Sequence, residues 1–407
     1  MMTSRERVMR ALCFQPTDRV PRDLGGMRST GISAFAYPKL AAALGLPPRP
    51  PKIEDTGQML AVPDLDVLDA LGCDVVSILG DVTNAFEQPG LWKPYDFNGR
   101  LAAQVRDPTA FVAQADGTIV QGRRRMLPES FVFDDEHGGQ PVALDGELPR
   151  PDLKKVKQWM ESSLLHDDRI AAIRDLCRRV RESTDRAVLF NDGAVHAPIA
   201  IGGWGGLAVF PILCITEPEW VTELHGVVTE YGLRNLRALV PEIAPYVDVI
   251  MMAADDWGTQ NNTIASPQVY RDLFLPYRRK MNDEVHRLAP GMKTFLHSCG
   301  AIHSILDLVV ESGFDVLNPV QWSAGQQGYR EWKAQARGRI ALWGGGVNSQ
   351  STLPLGTVAD VEREVREVVP VLCEGSGYVF CNIHNVLAEI PPEKVIAMYR
   401  TAGSVRG

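Results

Sequence analysis

The stretch KTFLHSCGAIHSILDLVVESGFDVLNP (residues 293–319) reads as strand, helix, strand. Its ends, KTFLHS and FDVLNP, are short apolar runs of the kind found in strands buried on both faces. Between them AIHSILDLVVESG repeats its apolar residues at helical spacing. A helix joining two strands is the crossover that parallel pairing requires. The same alternation continues in both directions. Further strand-like runs are CDVVSIL (73–79), AVLFN (187–191), VDVIMMA (247–253), RIALWGG (339–345) and GYVFCN (377–382). Helix-period segments such as EPEWVTELHGVVTEYGLRNLRALV (217–240) and TVADVEREVREVVPVLCEG (357–375) lie between them. The pattern predicts the α/β class, with seven or eight units closing into a (β/α)8 TIM barrel over residues 1–407. An open doubly wound sheet is the alternative, but no Gly-rich phosphate loop follows an early strand. Residues 81–148 differ. Turn signals (EQPG, DFNGR, ADGT, EHGGQ) separate short alternating runs there, which predicts a β-rich insertion over one end of the barrel.

Composition narrows the function. The chain has 407 residues, 45% of them hydrophobic, and a formal net charge of −8. A nucleic-acid groove wants a basic surface, so nucleic acid is not an expected partner. The one dense basic run, GRRRM (122–126), reads as a solvated hairpin face. No run approaches about 18 uninterrupted apolar residues, so no membrane span is expected. The opening MMTSRERVMRALCF carries charges at helical spacing and no signal-like apolar core. Seven cysteines at irregular spacing predict reduced thiols and a cytoplasmic setting.

In a parallel barrel the working residues lie at the C-terminal strand ends. KTFLHS ends in His297 and Cys299, and GYVFCN ends in Cys381 with His384 beyond. Two ligand types two residues apart at a strand end project to one side. Combined with Cys381 and His384 they make up to four soft donors, a zinc-like set. The competing reading is that the cysteines are buried small apolar residues. VDVIMMA runs into Asp255 and Asp256, which can orient substrate, act as a general base or cap the next turn. AVLFN ends in Asn191, with Asp192 and His196 just beyond, and FDVLNP ends around Asn318, with Gln321 beyond; all five are candidates for the pocket lining. Trp257 and Trp343 stand at the same rim, as aromatic walls for a ligand or as core filler.

Four segments in order carry a resemblance: DDWGTQNNTIASPQVYRDLFLPYRRK (255–280), HSCGAIHSILDLVVESGFDVLNPVQ (297–321), LWGGGVNSQSTLPLGTVADVEREV (342–365) and GYVFCNIHNVLAEIPPEKVIAMY (377–399). Together with the opening TSRERVMRALCFQPTDRVP (3–21), they resemble the uroporphyrinogen decarboxylase superfamily, and within it the corrinoid-dependent methyltransferase branch. The resemblance implies a barrel with its site at the mouth. It implies zinc on the His-x-Cys-Gly motif, with a third ligand, a Cys or in some members a His, after the last strand. His384 matches that position and Cys381 stands three residues earlier, so either or both are implied as ligands. True decarboxylases of the superfamily grip porphyrinogen carboxylates with an arginine-bearing motif near the N-terminus. Here PRDLGGMRSTG (21–31) keeps Arg22 and Arg28 but neither the spacing nor the polar run. The implied activity is methyl transfer from a small methylated substrate, a methoxylated aromatic, to a corrinoid (cobalamin) carried by a partner protein. No Asp-x-His-x-x-Gly corrinoid motif occurs in this chain. A homodimer is compatible with this reading. The alternatives are a tetrapyrrole decarboxylase, a methylcobalamin:thiol methyltransferase and a non-catalytic tetrapyrrole-binding protein.

Overall fold

Strands flanked by helices must bury both faces, and the short apolar runs do so. A computed structural model describes residues 2–135 and 148–406. Seven strands lie parallel in chain order: β1 (Val75–Leu79), β2 (Ala187–Asn191), β3 (Val249–Ala254), β4 (Lys293–His297), β5 (Val316–Asn318), β6 (Ala341–Trp343) and β7 (Tyr378–Val379). The extended segment at residues 21–23 completes the ring. Asp23 N–H donates to the Phe380 carbonyl (2.9 Å) and Phe380 N–H to that of Pro21 (2.8 Å), while Asp74 N–H donates to that of Arg22 (2.7 Å). The fold is therefore a (β/α)8-type barrel, and the open-sheet alternative does not apply.

The helices named here are α1 (Ser4–Leu12), α2 (Asp167–Ser183), α3 (Pro218–Ile243), α4 (Leu275–Leu288), α5 (Leu306–Glu311), α6 (Tyr329–Ala336), α7 (Val358–Cys373) and α8 (Pro392–Gly403). Strand periodicity separates two cores. Ala187, Leu189, Val249, Met251, Phe295, Val316, Ala341, Trp343, Val379 and Cys381 fill the barrel interior, which Val8 and Leu12 of α1 join. The alternate residues, such as Val188, Phe190, Ile250, Leu296 and Leu342, face the helices.

The segment 81–148 contains a hairpin (Lys93–Asp96 with Ala102–Val105) and a three-stranded meander (Phe111–Ala113, Ile119–Gln121, Arg124–Met126). Phe97, Phe111 and Phe133 pack edge-on or tilted within it. Arg124 and Arg125 lie exposed on its edge strand, as the solvated reading expects. Residues 136–147 of that segment, including the EHGGQ turn signal, lie outside the described residues. A further small sheet lies upstream, made of Ile32–Ser33, Ile53–Asp55 and Leu60–Ala61. Strands of two or three residues leave no alternation to read, so sequence patterning missed it. Among the described residues no helix is long and apolar enough to cross a membrane. All seven cysteines are free.

Asp23 is fully buried and accepts from Trp343 Nε1–H (2.9 Å) and Gly26 N–H (2.8 Å). Burial outweighs these bonds and pushes its carboxyl up to about 6. The folded protein thus holds the proton more tightly than the unfolded chain, whose carboxyl titrates near 3.8. This contribution is complete below the unfolded value and is lost as pH rises through about 6. A shift of this size corresponds to about 3 kcal/mol. Asp23→Asn is expected to remove that dependence. Urea unfolding of both proteins between pH 4 and 7 should give a stability difference that moves toward the variant as pH rises. A flat difference would refute the assignment.

Candidate metal centre

Three predicted donors converge at the barrel mouth. Ligand atoms of His297, Cys299 and His384 all lie within 4.8 Å of one another. His297 Nε2 is 3.4 Å from Cys299 Sγ, and the two imidazole centroids are 6.4 Å apart. His297 ends β4, Cys299 follows it and His384 stands in the loop after β7.

The loop carrying Cys299 is held by its backbone. Cys299 N–H donates to Asp256 Oδ1 (2.8 Å), Gly258 N–H to the Cys299 carbonyl (3.0 Å) and Gly300 N–H to Gln321 Oε1 (2.7 Å). Gly300 has φ +89°, and a Cβ on it would fall 2.3 Å from the Gly258 carbonyl. Only glycine permits that approach at that dihedral. The glycine of His-x-Cys-Gly is thus a steric requirement.

Each imidazole is tied through Nδ1. His297 Nδ1 lies 2.8 Å from Asn318 Oδ1, and His384 Nδ1 lies 3.0 Å from Asn385 Oδ1. Burial lowers the His297 pKa and favours its neutral, ligating form. Burial, then the nearby Asp256 carboxylate, push the Cys299 thiol far up. A cation between the donors acts in the opposite sense, holding sulfur as thiolate. Two imidazoles and one thiolate suit zinc and leave a coordination position open. The donor chemistry therefore fits the implied metal.

Cys381 is not brought to this group. Its side chain is fully buried in the barrel interior with Trp343 and Val379, beside Gly344. The cause is strand alternation: Val379 and Cys381 face inward while Tyr378 and Phe380 face the helices. Only after the chain turns at Asn382 does a side chain, His384, reach the rim.

The acidic pair splits. Asp256 is half exposed, and its Oδ1 lies 3.5 Å from His297 Nε2. Asp255 is buried away from the cluster. It accepts from Ile201 N–H (2.8 Å) and Trp257 Nε1–H (2.6 Å) and forms an ion pair with Arg278. Burial presses its carboxyl pKa upward, and the three donors oppose this. Trp257 and Trp343 do not wall the rim; of their two readings the core one holds. Trp257 packs on Tyr270 and Phe274, and Trp343 packs on Phe295 inside the barrel. Both are fully buried because each indole N–H finds a carboxylate, Asp255 and Asp23 respectively. Asn318 and Gln321 support the metal motif through the bonds described above.

Asn191, Asp192 and His196 do share a cleft. It measures about 520 Å³ at the ends of β1 and β2 and is also lined by Arg28, Arg106 and Arg169. Each arginine has a carboxylate partner: Glu54 at 2.6 Å, Asp81 at 2.5 Å and Asp192 at 3.1 Å. His196 Nε2 lies 2.9 Å from the Met251 carbonyl. Arg22 points away from the mouth, donating from Nη1 to the Tyr399 carbonyl (3.1 Å). Sequence reading missed Ser29, Gln58 and Asn385 as site residues, and only Asn385 carried a signal, its place directly after His384.

The family model described as uroporphyrinogen decarboxylase (URO-D) matches residues 135–405. The chain belongs to the uroporphyrinogen decarboxylase family. Within this family it is similar to the uroporphyrinogen decarboxylase of Legionella pneumophila (strain Corby), 27% identical over 186 residues, which is 46% of this chain and 48% of the relative. It is also similar to the uroporphyrinogen decarboxylase of Syntrophotalea carbinolica, 28% identical over 181 residues, 44% and 48% of the two chains. The match thus spans about half the length of these curated relatives. A solved methyltransferase from Methanosarcina mazei shares the fold across 99% of this chain and 98% of its own, with TM-score 0.56 and 17% identity. The family match thus covers residues 135–405, and the fold shared with the solved methyltransferase extends over nearly the whole chain.

Proposed function

We propose that this chain is a zinc-dependent methyltransferase that moves a methyl group from a small methylated substrate to a corrinoid carried by a partner protein. The convergence of His297, Cys299 and His384 at the barrel mouth carries the reading. The solved methyltransferase of the same fold agrees with it. The candidate donor is a methoxylated aromatic, and the charged cleft beside the mouth calls for polar substituents on its ring. The reaction balances as methyl ether plus cobalt(I) corrinoid plus a proton, giving the free hydroxyl compound and methyl-cobalt(III). The carbon–oxygen bond breaks, a carbon–cobalt bond forms, and the leaving oxygen takes the proton.

His297, Cys299 and His384 would hold the zinc, which when bound supplies Lewis acidity toward the leaving oxygen. Asp256, half exposed with its Oδ1 3.5 Å from His297 Nε2, holds the Cys299 loop through its backbone N–H and would be available to hold or pass a proton there. Asn191 and His196 line the cleft that would receive the donor's polar end.

Decarboxylation of a tetrapyrrole is less well supported. A site for several carboxylate side chains needs uncompensated cations. Arg22 points elsewhere, and Arg28, Arg106 and Arg169 each carry an acidic partner. Elemental analysis of the purified protein, with methyl transfer to free cob(I)alamin from methoxylated aromatics, methylamines and thiols, tests the reading. About one zinc per chain and zinc-dependent transfer from the aromatic ethers are expected. Turnover of uroporphyrinogen without a metal requirement would overturn it.

A further inference from the structure

The two imidazoles are held in the same way by unrelated parts of the chain. Asn318 is fully buried, and its Nδ2–H donates to the Trp343 carbonyl at 2.9 Å. A carbonyl only accepts, so this bond fixes which end of the amide is which. Oδ1 must then face His297 Nδ1 (2.8 Å), and Ser29 Oγ–H donates to the same oxygen at 2.7 Å. His297 is thereby obliged to carry its proton on Nδ1, which frees Nε2, the nitrogen nearest the Cys299 sulfur.

The second arm has the same histidine–asparagine pairing, but its outer partner is an amide, not a backbone carbonyl. Asn385 Oδ1 faces His384 Nδ1 at 3.0 Å, and Asn385 Nδ2–H donates to Gln58 Oε1 at 3.0 Å. Gln58 is exposed and lies between two strands of the small N-terminal sheet. That sheet grips the loop carrying His384: Ser33 N–H donates to the Val386 carbonyl (2.8 Å) and Val386 N–H to that of Gly31 (2.9 Å). Ser29 and Gln58 both lie outside the family match at residues 135–405.

We propose that Asn318 and Asn385 are positioning residues that set both imidazoles as Nδ1–H tautomers, so that each presents Nε2 to the metal, and that Gln58 sets the direction of the Asn385 amide. The N-terminal segment thus completes a centre whose ligands all belong to the family-matched region. This rests on the reading of the three donors as a metal site. Outer partners of metal-bound histidines act in this way, and their loss typically costs 10–100-fold in metal affinity.

Position 58 allows a test with little folding risk, because it is exposed. Glutamate there can only accept and keeps Asn385 in its direction. Lysine can only donate and turns the amide, so that Nδ2 faces His384 and drives the proton to Nε2. The tautomers are read in metal-free protein by 15N–1H correlation of 15N-labelled histidines, assigned with His297→Ala and His384→Ala. Zinc affinity is measured separately by chelator competition. Wild type and Gln58→Glu are expected to show Nδ1–H at both residues. Gln58→Lys is expected to shift His384 alone to Nε2–H and weaken zinc roughly tenfold or more. A charge effect alone would change affinity and leave the tautomer unmoved. Nε2–H at His384 in wild type, or an unchanged pattern in Gln58→Lys, overturns the proposal. The expected tautomers with no zinc bound by any of the proteins would uphold the orienting network and overturn the metal reading instead.

Discussion

Cys299→Ala is expected to leave the folded protein without tightly held zinc and without methyl transfer, while Cys381→Ala keeps both. Only Cys299 belongs to the three-donor group. Zinc bound by protein donors contributes on the order of 10 kcal/mol at neutral pH. Removing one of three donors should therefore weaken binding on the order of 10²- to 10³-fold. Cys381 lies fully buried in the barrel interior. Trimming its sulfur leaves a small void and costs about 1 kcal/mol of stability, with metal content unchanged. Elemental analysis after dialysis against a chelator of graded strength, with urea unfolding of both variants, separates the two cysteines. The reverse pattern, zinc lost with Cys381 and kept without Cys299, would sink the assignment.

The second large effect is expected at Asp255, and on stability. Its carboxylate answers Arg278, the Trp257 indole N–H and the Ile201 N–H, all of them buried. Arg278 also lies over the rings of Tyr270 and Phe274 and is almost fully buried. Deleting the carboxylate strands a buried guanidinium, which typically costs about 3–5 kcal/mol. Asp255→Ala should therefore unfold at much lower denaturant, and the fraction that stays folded should keep its zinc. Asp256→Ala should behave in the opposite way. Half-exposed, it should change stability by only about 0.5 kcal/mol. Yet it frees the Cys299 N–H and removes the carboxylate beside His297, so zinc affinity should drop roughly tenfold. Equal stability of Asp255→Ala and wild type, with transfer lost, would return Asp255 to the chemistry.

The neighbours Asp255 and Asp256 show where reading residues in order stops. Both were legible as acids at a strand end. Their division into a buried clamp and a rim carboxylate depends on Arg278, which lies in α4 beyond the next turn. Trp257 and Trp343 were ambiguous for the same reason. Whether an indole walls a pocket or fills a core depends on where its N–H finds an acceptor, and Asp23 lies 320 residues from Trp343.

Local pattern alone was enough for the barrel and for placing His297 and Cys299 at a strand end. Alternation of short apolar runs with 3.6-period segments is a short-range property, and parallel pairing follows from it with little freedom. His297 and Cys299 were legible because two residues at one strand end share a direction. The choice of His384 over Cys381 was left to the fold. A strand's two faces are separated by the thickness of the barrel wall, so one step in register sends a side chain to the core or on to the rim. The orientation of the imidazoles carried less local signal: Asn318 and Asn385 stood close to the motif, whereas Ser29 and Gln58 did not. On the orienting proposal it depends on Ser29, Gln58, Asn318 and Asn385, which meet only when the ring closes: Ser29 reaches Asn318 at the end of β5 and Gln58 reaches Asn385 in the loop after β7.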